Sequence, residues 1–218
     1  MIEQYKEIYE GGSDEIVEKK SRFIATVFPV KQEEEAVSII EETKKRYWDA
    51  RHNCFAYVIG ARHELQRFSD DGEPSGTAGK PILDVLLGEN VHNALIIVTR
   101  YFGGTLLGTG GLVRAYQGAA KAGIASSQVI TKKFGSKVQV KTDYNNVGKI
   151  QYIFGQMEID VLDSEYTDEV LFTLAVDKEM NESLKKKIQE ATSATANYEE
   201  LDDIYFAKVN GQVLLFNE

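Results

Sequence analysis

The spacing of apolar residues along the chain predicts alternating strands and helices. Residues 21–30 alternate apolar and polar side chains over part of their length, which predicts a β-strand. Residues 33–47 change to a spacing of three and four, with glutamates in the first turn and basic residues in the last, which predicts a helix. The same criteria predict three more strands and two more helices, at residues 54–60, 64–68 and 93–102 and at residues 81–87 and 112–126.

A second unit is predicted to begin near Thr131. Its expected elements are, in order, a strand, a helix, two strands, a helix and a strand, at residues 137–142, 144–155, 158–164, 169–176, 179–191 and 197–208. This β-α-β-β-α-β order is the ferredoxin-like pattern. Asn210 and Gly211 then predict a hairpin turn into a last strand. We therefore predict an α+β protein of two domains, residues 1–130 and 131–218.

Composition excludes several classes of protein. The chain has 218 residues, of which 43% are apolar and 27% charged, as in ordinary folded domains. Cys54 is the single cysteine, which excludes a disulfide framework and fits a reducing compartment. Residues 1–10 lack the apolar core of a secretory signal, and no apolar run approaches the roughly 20 residues of a membrane span. We therefore expect a cytoplasmic protein with no membrane partner.

Charge is unevenly distributed along the chain. The net charge of −9 argues against a surface coated with basic side chains for nucleic acid. However, no Asp or Glu occurs between Glu89 and Asp143. The same segment carries seven basic side chains: Arg100, Arg114, Lys121, Lys132, Lys133, Lys137 and Lys141. We therefore expect any anionic partner to meet this segment rather than the acidic remainder.

A glycine-rich loop at residues 103–111 lies inside that basic segment, between a predicted strand and a predicted helix. Glycines let backbone N–H groups approach a ligand, and a helix N-terminus attracts anions. No lysine lies between Arg100 and Lys121, which excludes a P-loop. Two interpretations stay open, an anion or nucleic-acid contact and the tight packing of a glycine-rich turn. The predicted anion-binding or nucleic-acid-binding residues are Arg100, Gly103, Gly104, Thr109, Gly110, Gly111, Arg114 and Lys121.

A second loop, residues 69–80, is dense in turn-forming residues and contains three carboxylates. Three interpretations stay open: a structural turn, a metal-free binding loop, and a Mg²⁺ or Ca²⁺ site. The spacing of an EF-hand is absent, and His63 and His92 lack the spacing of zinc ligands. We therefore expect no metal and no other cofactor. The candidate site residues in and near this loop are His52, Asp70, Asp71, Glu73, Ser75 and Lys80.

His52 and Cys54 are close in sequence, which suggests a base and a nucleophile. Cys54, however, begins an apolar strand, as buried structural thiols often do. We therefore expect a buried thiol, with His52 as a hydrogen-bonding residue at the strand end.

Five ordered motifs resemble the IMPACT/YigZ family, in particular its bacterial two-domain YigZ/YvyE type. They are KSRFIA at residues 20–25, ARHNC at 50–54, DDGEPSGTAGKPIL at 70–83, VTRYFGG at 98–104 and LGTGGLVRAY at 107–116. The resemblance implies an N-terminal domain with the fold of ribosomal protein S5 domain 2. It also implies a ferredoxin-like C-terminal domain similar to a late domain of elongation factor G. Both folds recur in proteins that contact ribosomes and RNA, which is an association rather than a mechanism.

Three functions follow as hypotheses. The first is a translation-associated regulator that binds RNA, the ribosome or a translation factor through the glycine-rich loop. The second is a hydrolase, metal-independent or weakly metal-dependent, that uses the 70–80 loop. The third is a stress-response regulator with an acidic protein partner, because eukaryotic IMPACT proteins restrain the amino-acid-starvation kinase. The residues favour a binding protein over an enzyme, and a cleft shared by the two loops would favour the hydrolase.

Overall fold

The structure is a computed structural model that describes residues 3–216. The chain divides into two compact units, one formed by residues 5–130 and the other by the chain from Thr131 onward with the residues before Tyr5. Each unit combines helices with a sheet, which confirms the two-domain α+β prediction. The ends of the two predicted domain ranges, residues 1–2 and 217–218, lie outside the described residues.

The first unit is built on a five-stranded antiparallel sheet in the order β2-β3-β7-β4-β5, beside which β1 pairs in parallel with β6. Its strands are β1 (Gln4–Glu10), β2 (Ser13–Glu18), β3 (Ser21–Pro29), β4 (His52–Ile59), β5 (Leu65–Ser69), β6 (Val91–His92) and β7 (Ala94–Tyr101). Its helices are α1 (Glu33–Arg46), α2 (Gly79–Gly88) and α3 (Thr109–Ala125).

The central strand β7 is apolar on both faces because helices cover both faces of the sheet. Ile96 and Val98 point into the core beneath α2 and α3, whereas Leu95 and Ile97 pack with Ala36 of α1 on the other side. All four β7 side chains are at most 1% exposed. The continuous apolar run in the sequence therefore corresponds to a strand with no solvent face.

The apolar pattern does not predict β1 and β2. In β2 only Ile16 is even partly buried, and its neighbours along the strand are exposed. An edge strand with polar residues on both faces gives no alternating signal. Its place in the sheet is set by pairing with β3.

The second unit contains β8 (Gln128–Thr142), α4 (Val147–Gln156), β9 (Asp160–Tyr166), β10 (Val170–Asp177), a short 3₁₀ helix (Lys178–Met180), α5 (Asn181–Ala191), β11 (Asn197–Val209) and β12 (Gln212–Phe216). The sheet order β12-β11-β8-β10-β9 contains the four strands of the ferredoxin-like arrangement, with β12 added at the edge. Asn210 and Gly211 have φ of 49° and 82° at the hairpin turn, which confirms the predicted turn. Within residues 3–216 no helix is long and apolar enough to cross a bilayer.

Candidate functional site

Asp70 holds the 69–80 loop in shape. Its Oδ1 accepts hydrogen bonds from the backbone N–H groups of Ala78 and Gly79 at 3.0 and 2.8 Å, and its Oδ2 accepts one from Gly76 at 2.8 Å. Because Gly79 is the first residue of α2, this carboxylate satisfies donors that the helix start leaves without intrahelical partners. The Asp70 carboxylate therefore stabilises the backbone conformation of this loop.

Asp71 ties the same loop to the start of β4. Its Oδ2 accepts the backbone N–H of Asn53 at 2.7 Å, and its Oδ1 accepts the Lys44 ammonium at 2.6 Å. Its backbone carbonyl lies 2.9 Å from Nδ1 of His52. A carbonyl can only accept, so Nδ1 of His52 is the donor, and in the neutral ring Nε2 is left as a hydrogen-bond acceptor. Asp71 thus orients the imidazole.

Glu73 turns inward, unlike the other two carboxylates. Its Oε1 accepts hydrogen bonds from Nη1 of Arg100 at 2.5 Å and from the Tyr116 hydroxyl at 2.8 Å. Nε2 of His52 lies 4.0 Å from the same oxygen. The pairing of β4 with β7 places His52 directly opposite Arg100, which brings these groups together. The result is a buried cluster of a carboxylate, a guanidinium, a phenol and an imidazole.

Cys54 packs behind this cluster as a buried thiol, which confirms the prediction for that residue. Its Sγ lies 3.0 Å from the carbonyl oxygen of Asp70 and 3.3 Å from the Tyr116 hydroxyl. Burial raises the pKa of the Cys54 thiol far above its ordinary value, and burial likewise raises the pKa of the Tyr116 hydroxyl. Neither group is therefore arranged as a nucleophile.

The glycine-rich loop combines packing with open backbone donors. Gly103 donates its N–H to the Ser21 hydroxyl at 3.1 Å, and a Cβ at this position would lie 2.0 Å from the carbonyl carbon of Lys20. Gly103 therefore serves tight packing. At the other end of the loop, Gly108 precedes α3 with φ of 72° and, as a glycine, has no side chain with which to cap the helix. The N–H groups of the first turn, formed by Thr109, Gly110 and Gly111, are thus available to a ligand.

The two loops enclose one cleft of about 440 Å³, which we call the interloop cleft. Its polar floor is formed by His52, Glu73 and Arg100. Its remaining lining residues are Arg51, Pro74, Phe102, Leu106, Leu107, Gly108, Thr109 and Leu112. Residues from both candidate loops therefore meet in one place.

Three cations surround the start of α3. Arg51 lines the interloop cleft, while Lys19 and Arg114 line an adjoining cavity of about 250 Å³, and Leu107 borders both cavities. None of these cations forms an ion pair within residues 3–216, although Glu18 also lines the smaller cavity. The three cations, with the open N–H groups of α3, are called the cationic rim below.

Comparison with known proteins shows which family the chain resembles. Residues 19–124 match the Impact N-terminal domain, and residues 140–195 match a domain of unknown function, DUF1949. The chain is 36% identical to the IMPACT family member YvyE of Bacillus subtilis over 208 residues, which are 95% of this chain and 96% of that protein. The chain belongs to the IMPACT family.

Further similarities cover most of the IMPACT chain. It is 39% identical to the IMPACT family member YigZ of Escherichia coli over 160 residues, 72% of this chain and 78% of that protein. A crystal structure of a hypothetical protein, 30% identical, matches with a TM-score of 0.58 and covers 93% of this chain and 99% of that one. Every residue that lines the interloop cleft lies inside the segment that matches the Impact N-terminal domain.

The other predicted residues of this IMPACT chain lie apart from the cleft lining. Ser75 is exposed, and Lys80 forms an exposed ion pair with Asp84. Gly104 is exposed with φ of 83°. Lys121 is exposed on α3, two helical turns beyond Arg114. These positions supply no contact to the buried cluster.

The basic segment is divided between the two units of the chain. Inside the first unit, an ion pair with Glu73 neutralises the charge of Arg100. In the second unit, Lys132 is buried with its Nζ 4.3 Å from the Phe216 ring centroid, Lys133 pairs with Asp177, and Lys141 pairs with Glu169. Acidic partners distant in sequence therefore neutralise Arg100, Lys133 and Lys141, three of the seven basic side chains of the segment.

Sequence reasoning missed Lys19, Arg51, Phe102, Leu106 and Tyr116 as site residues. All five lie in or next to the family motifs, which was the one available signal. Within residues 3–216 no group of three or more His, Cys, Asp or Glu side chains is arranged to hold a metal ion.

Proposed function

We propose that this IMPACT-family protein is a translation-associated regulator that binds RNA through the cationic rim. The observation that carries the proposal is the placement of Lys19, Arg51 and Arg114, which form no ion pair with the described part of the chain, around the start of α3. Basic side chains and helix N-termini both bind phosphate oxygens. The link with translation rests on the resemblance of the motifs to eukaryotic IMPACT proteins.

The small number of cations sets the expected strength and character of binding. Arg100 contributes no free charge because Glu73 neutralises it. The net charge of −9 disfavours contact with RNA over the rest of the surface. Three phosphate contacts on a single strand predict a slope of about −2 for log affinity against log salt. Binding should therefore be local and moderately salt-dependent.

The test is a titration of a short single-stranded RNA of mixed sequence at several KCl concentrations, read by fluorescence anisotropy. The rim variant is Lys19→Glu with Arg51→Glu and Arg114→Glu. A matched control with the same charge change is Lys185→Glu with Lys186→Glu and Lys187→Glu on α5 of the second unit. We expect the rim variant to lose at least about tenfold in affinity and most of the salt slope, and the control to lose far less.

Three results would overturn the proposal. They are absent binding, binding that does not change with salt, and equal losses in the two variants. An affinity pulldown could instead retain an acidic protein on the rim after nuclease treatment. That result, together with absent RNA binding, would favour the protein-partner hypothesis.

A second candidate function, hydrolysis of a phosphodiester, is favoured by the orientation of His52. Its Nδ1 is held by the Asp71 carbonyl, so its Nε2 can accept a proton in a cleft that also contains Arg51. In this step a water oxygen attacks phosphorus, Nε2 takes the water proton, and the P–O bond to the leaving oxygen breaks. Nε2 then returns that proton to the leaving oxygen.

This candidate is tested on the same RNA. The RNA is incubated in EDTA with saturating protein, and new 5′ and 3′ ends are mapped. Cleavage that His52→Gln removes would support the hydrolase. Intact RNA under conditions where binding is saturated would exclude it for this substrate class.

A further inference from the structure

The walls of the interloop cleft are largely apolar. Phe102 is 45% exposed and Leu106 is 82% exposed, and both lie on the segment between β7 and α3. Leu107 and Pro74 continue the apolar lining. The cleft volume of about 440 Å³ falls in the range of small-ligand sites, about 300–1,000 Å³. The walls therefore suit a flat ligand with apolar faces.

The floor of the cleft combines the Arg100 guanidinium with two groups that can accept hydrogen bonds, Glu73 and His52. Both partners of Glu73 use Oε1, and Oε2 has no partner within residues 3–216 although the side chain is only 3% exposed. Oε2 is not sealed off in the interior, so it opens into the cleft that Glu73 lines. When the His52 ring is neutral, its Nε2 is a second acceptor, 4.0 Å from Oε1 of the same carboxylate. A ligand edge with two adjacent donors would satisfy both atoms.

We infer that the interloop cleft binds an unstacked guanine base of the RNA, an inference that rests on the proposed function. Guanine places its N1–H and its 2-amino group side by side on its Watson–Crick edge. The other three bases lack two adjacent donor groups on that edge. Its faces would stack on Phe102, as bases do on aromatic side chains in single-strand-binding proteins. Arg51, which lines the same cleft, would then meet the phosphate attached to that nucleotide.

The experiment compares single-stranded RNAs that differ at one nucleotide. The first carries one guanosine in a uridine background, the second inosine at that place, and the third an abasic site. Inosine lacks only the 2-amino group, so it isolates one donor. We expect the guanosine RNA to bind about tenfold more tightly than the inosine RNA, which is the discrimination typical of base hydrogen bonds. The abasic RNA should bind more weakly still.

Variants separate the base contact from the phosphate contact. Phe102→Ala should abolish the preference for guanosine and leave the salt slope unchanged. Phe68→Ala is the matched control, because Phe68 is an equally exposed phenylalanine, 47% against 45%, on β5 outside the cleft lining. Circular dichroism and urea unfolding of both variants verify that each is folded. Leu106→Ala provides a second cleft variant at a residue too exposed to affect the core.

The outcomes distinguish the two proposals. Equal binding of all three RNAs, with a salt slope that the rim variant removes, would overturn the guanine site and leave RNA binding intact. Tighter binding of the inosine RNA than of the guanosine RNA would overturn the guanine assignment as well. Absence of binding to every RNA would overturn the proposed function itself.

Discussion

Nη1 of Arg100 lies 2.5 Å from Oε1 of Glu73, and the two side chains are only 7% and 3% exposed. Arg100, the first arginine of the basic segment, is therefore buried and paired with a carboxylate of the 69–80 loop. This pair ties the 69–80 loop to the end of β7, beside the interloop cleft. Its geometry makes the cleft a preformed feature of the first unit, because each charge requires the other to remain buried.

Breaking this pair should destabilise the protein strongly. We expect Glu73→Ala to lower the free energy of unfolding by about 3–5 kcal/mol, because Arg100 would be left as a buried unpaired charge. The double variant Glu73→Leu with Arg100→Met should recover most of that loss. Urea unfolding followed by circular dichroism measures both. The exposed Lys80–Asp84 pair is the control, and Lys80→Ala should change stability by no more than about 1 kcal/mol.

Gly103→Ala should destabilise the first unit. Its Cβ would lie 2.0 Å from the backbone of Lys20, and backbone cannot move aside without shifting β3. We expect a loss of about 1–3 kcal/mol, typical of overpacking. Gly148→Ala on α4 is the control, because a Cβ there meets nothing within 4 Å. The control should gain up to about 1 kcal/mol in thermal or urea unfolding. Equal effects of the two changes would contradict the close contact at Gly103.

Acidification should destabilise the first unit through His92. Burial, and then the neighbouring His63, lowers the pKa of His92 below its ordinary value, while Glu64 and Glu7 act in the opposite direction. The two imidazole rings stack with centroids 3.9 Å apart. The unfolded chain binds a proton at His92 more readily than the folded protein does. The contribution of neutral His92 to the free energy of unfolding is therefore full above about pH 6.5 and is lost as the pH falls below that value.

The measurement is the urea midpoint at pH 7.5 and at pH 5.5. His92→Gln should reduce the difference between the two midpoints, and His63→Gln should reduce it by less. A difference that neither variant alters would show that other groups control the acid response.

Cys54 should resist thiol reagents in the folded protein. Burial raises the pKa of its thiol, so the reactive thiolate is disfavoured and the sulfur is also shielded from solvent. We expect a disulfide reagent at pH 8 to modify Cys54 only as fast as the first unit opens, and rapidly in urea. Immediate modification of the native protein would contradict the buried environment.

Local pattern in the sequence was sufficient for most of the secondary structure. The periodicity from Glu33 onward corresponds to α1, and the βαββαβ order of the second unit was predicted from alternating and helical spacing. These features depend on residues close in sequence, where apolar spacing directly reflects which face is buried. The pattern failed at β2, whose polar residues become a strand only by pairing with β3.

The tertiary structure decides which partners each of the three carboxylates in the 69–80 loop binds. Asp70, Asp71 and Glu73 carry the same signal in the sequence, yet the first two bind backbone and lysine while Glu73 joins Arg100 and Tyr116. The partners of Glu73 lie 27 and 43 residues away along the chain. Strand register and helix packing bring such groups together, and both are settled by burial over the whole unit. The sequence therefore determined which residues could carry chemistry, whereas long-range packing decided which of them face the cleft.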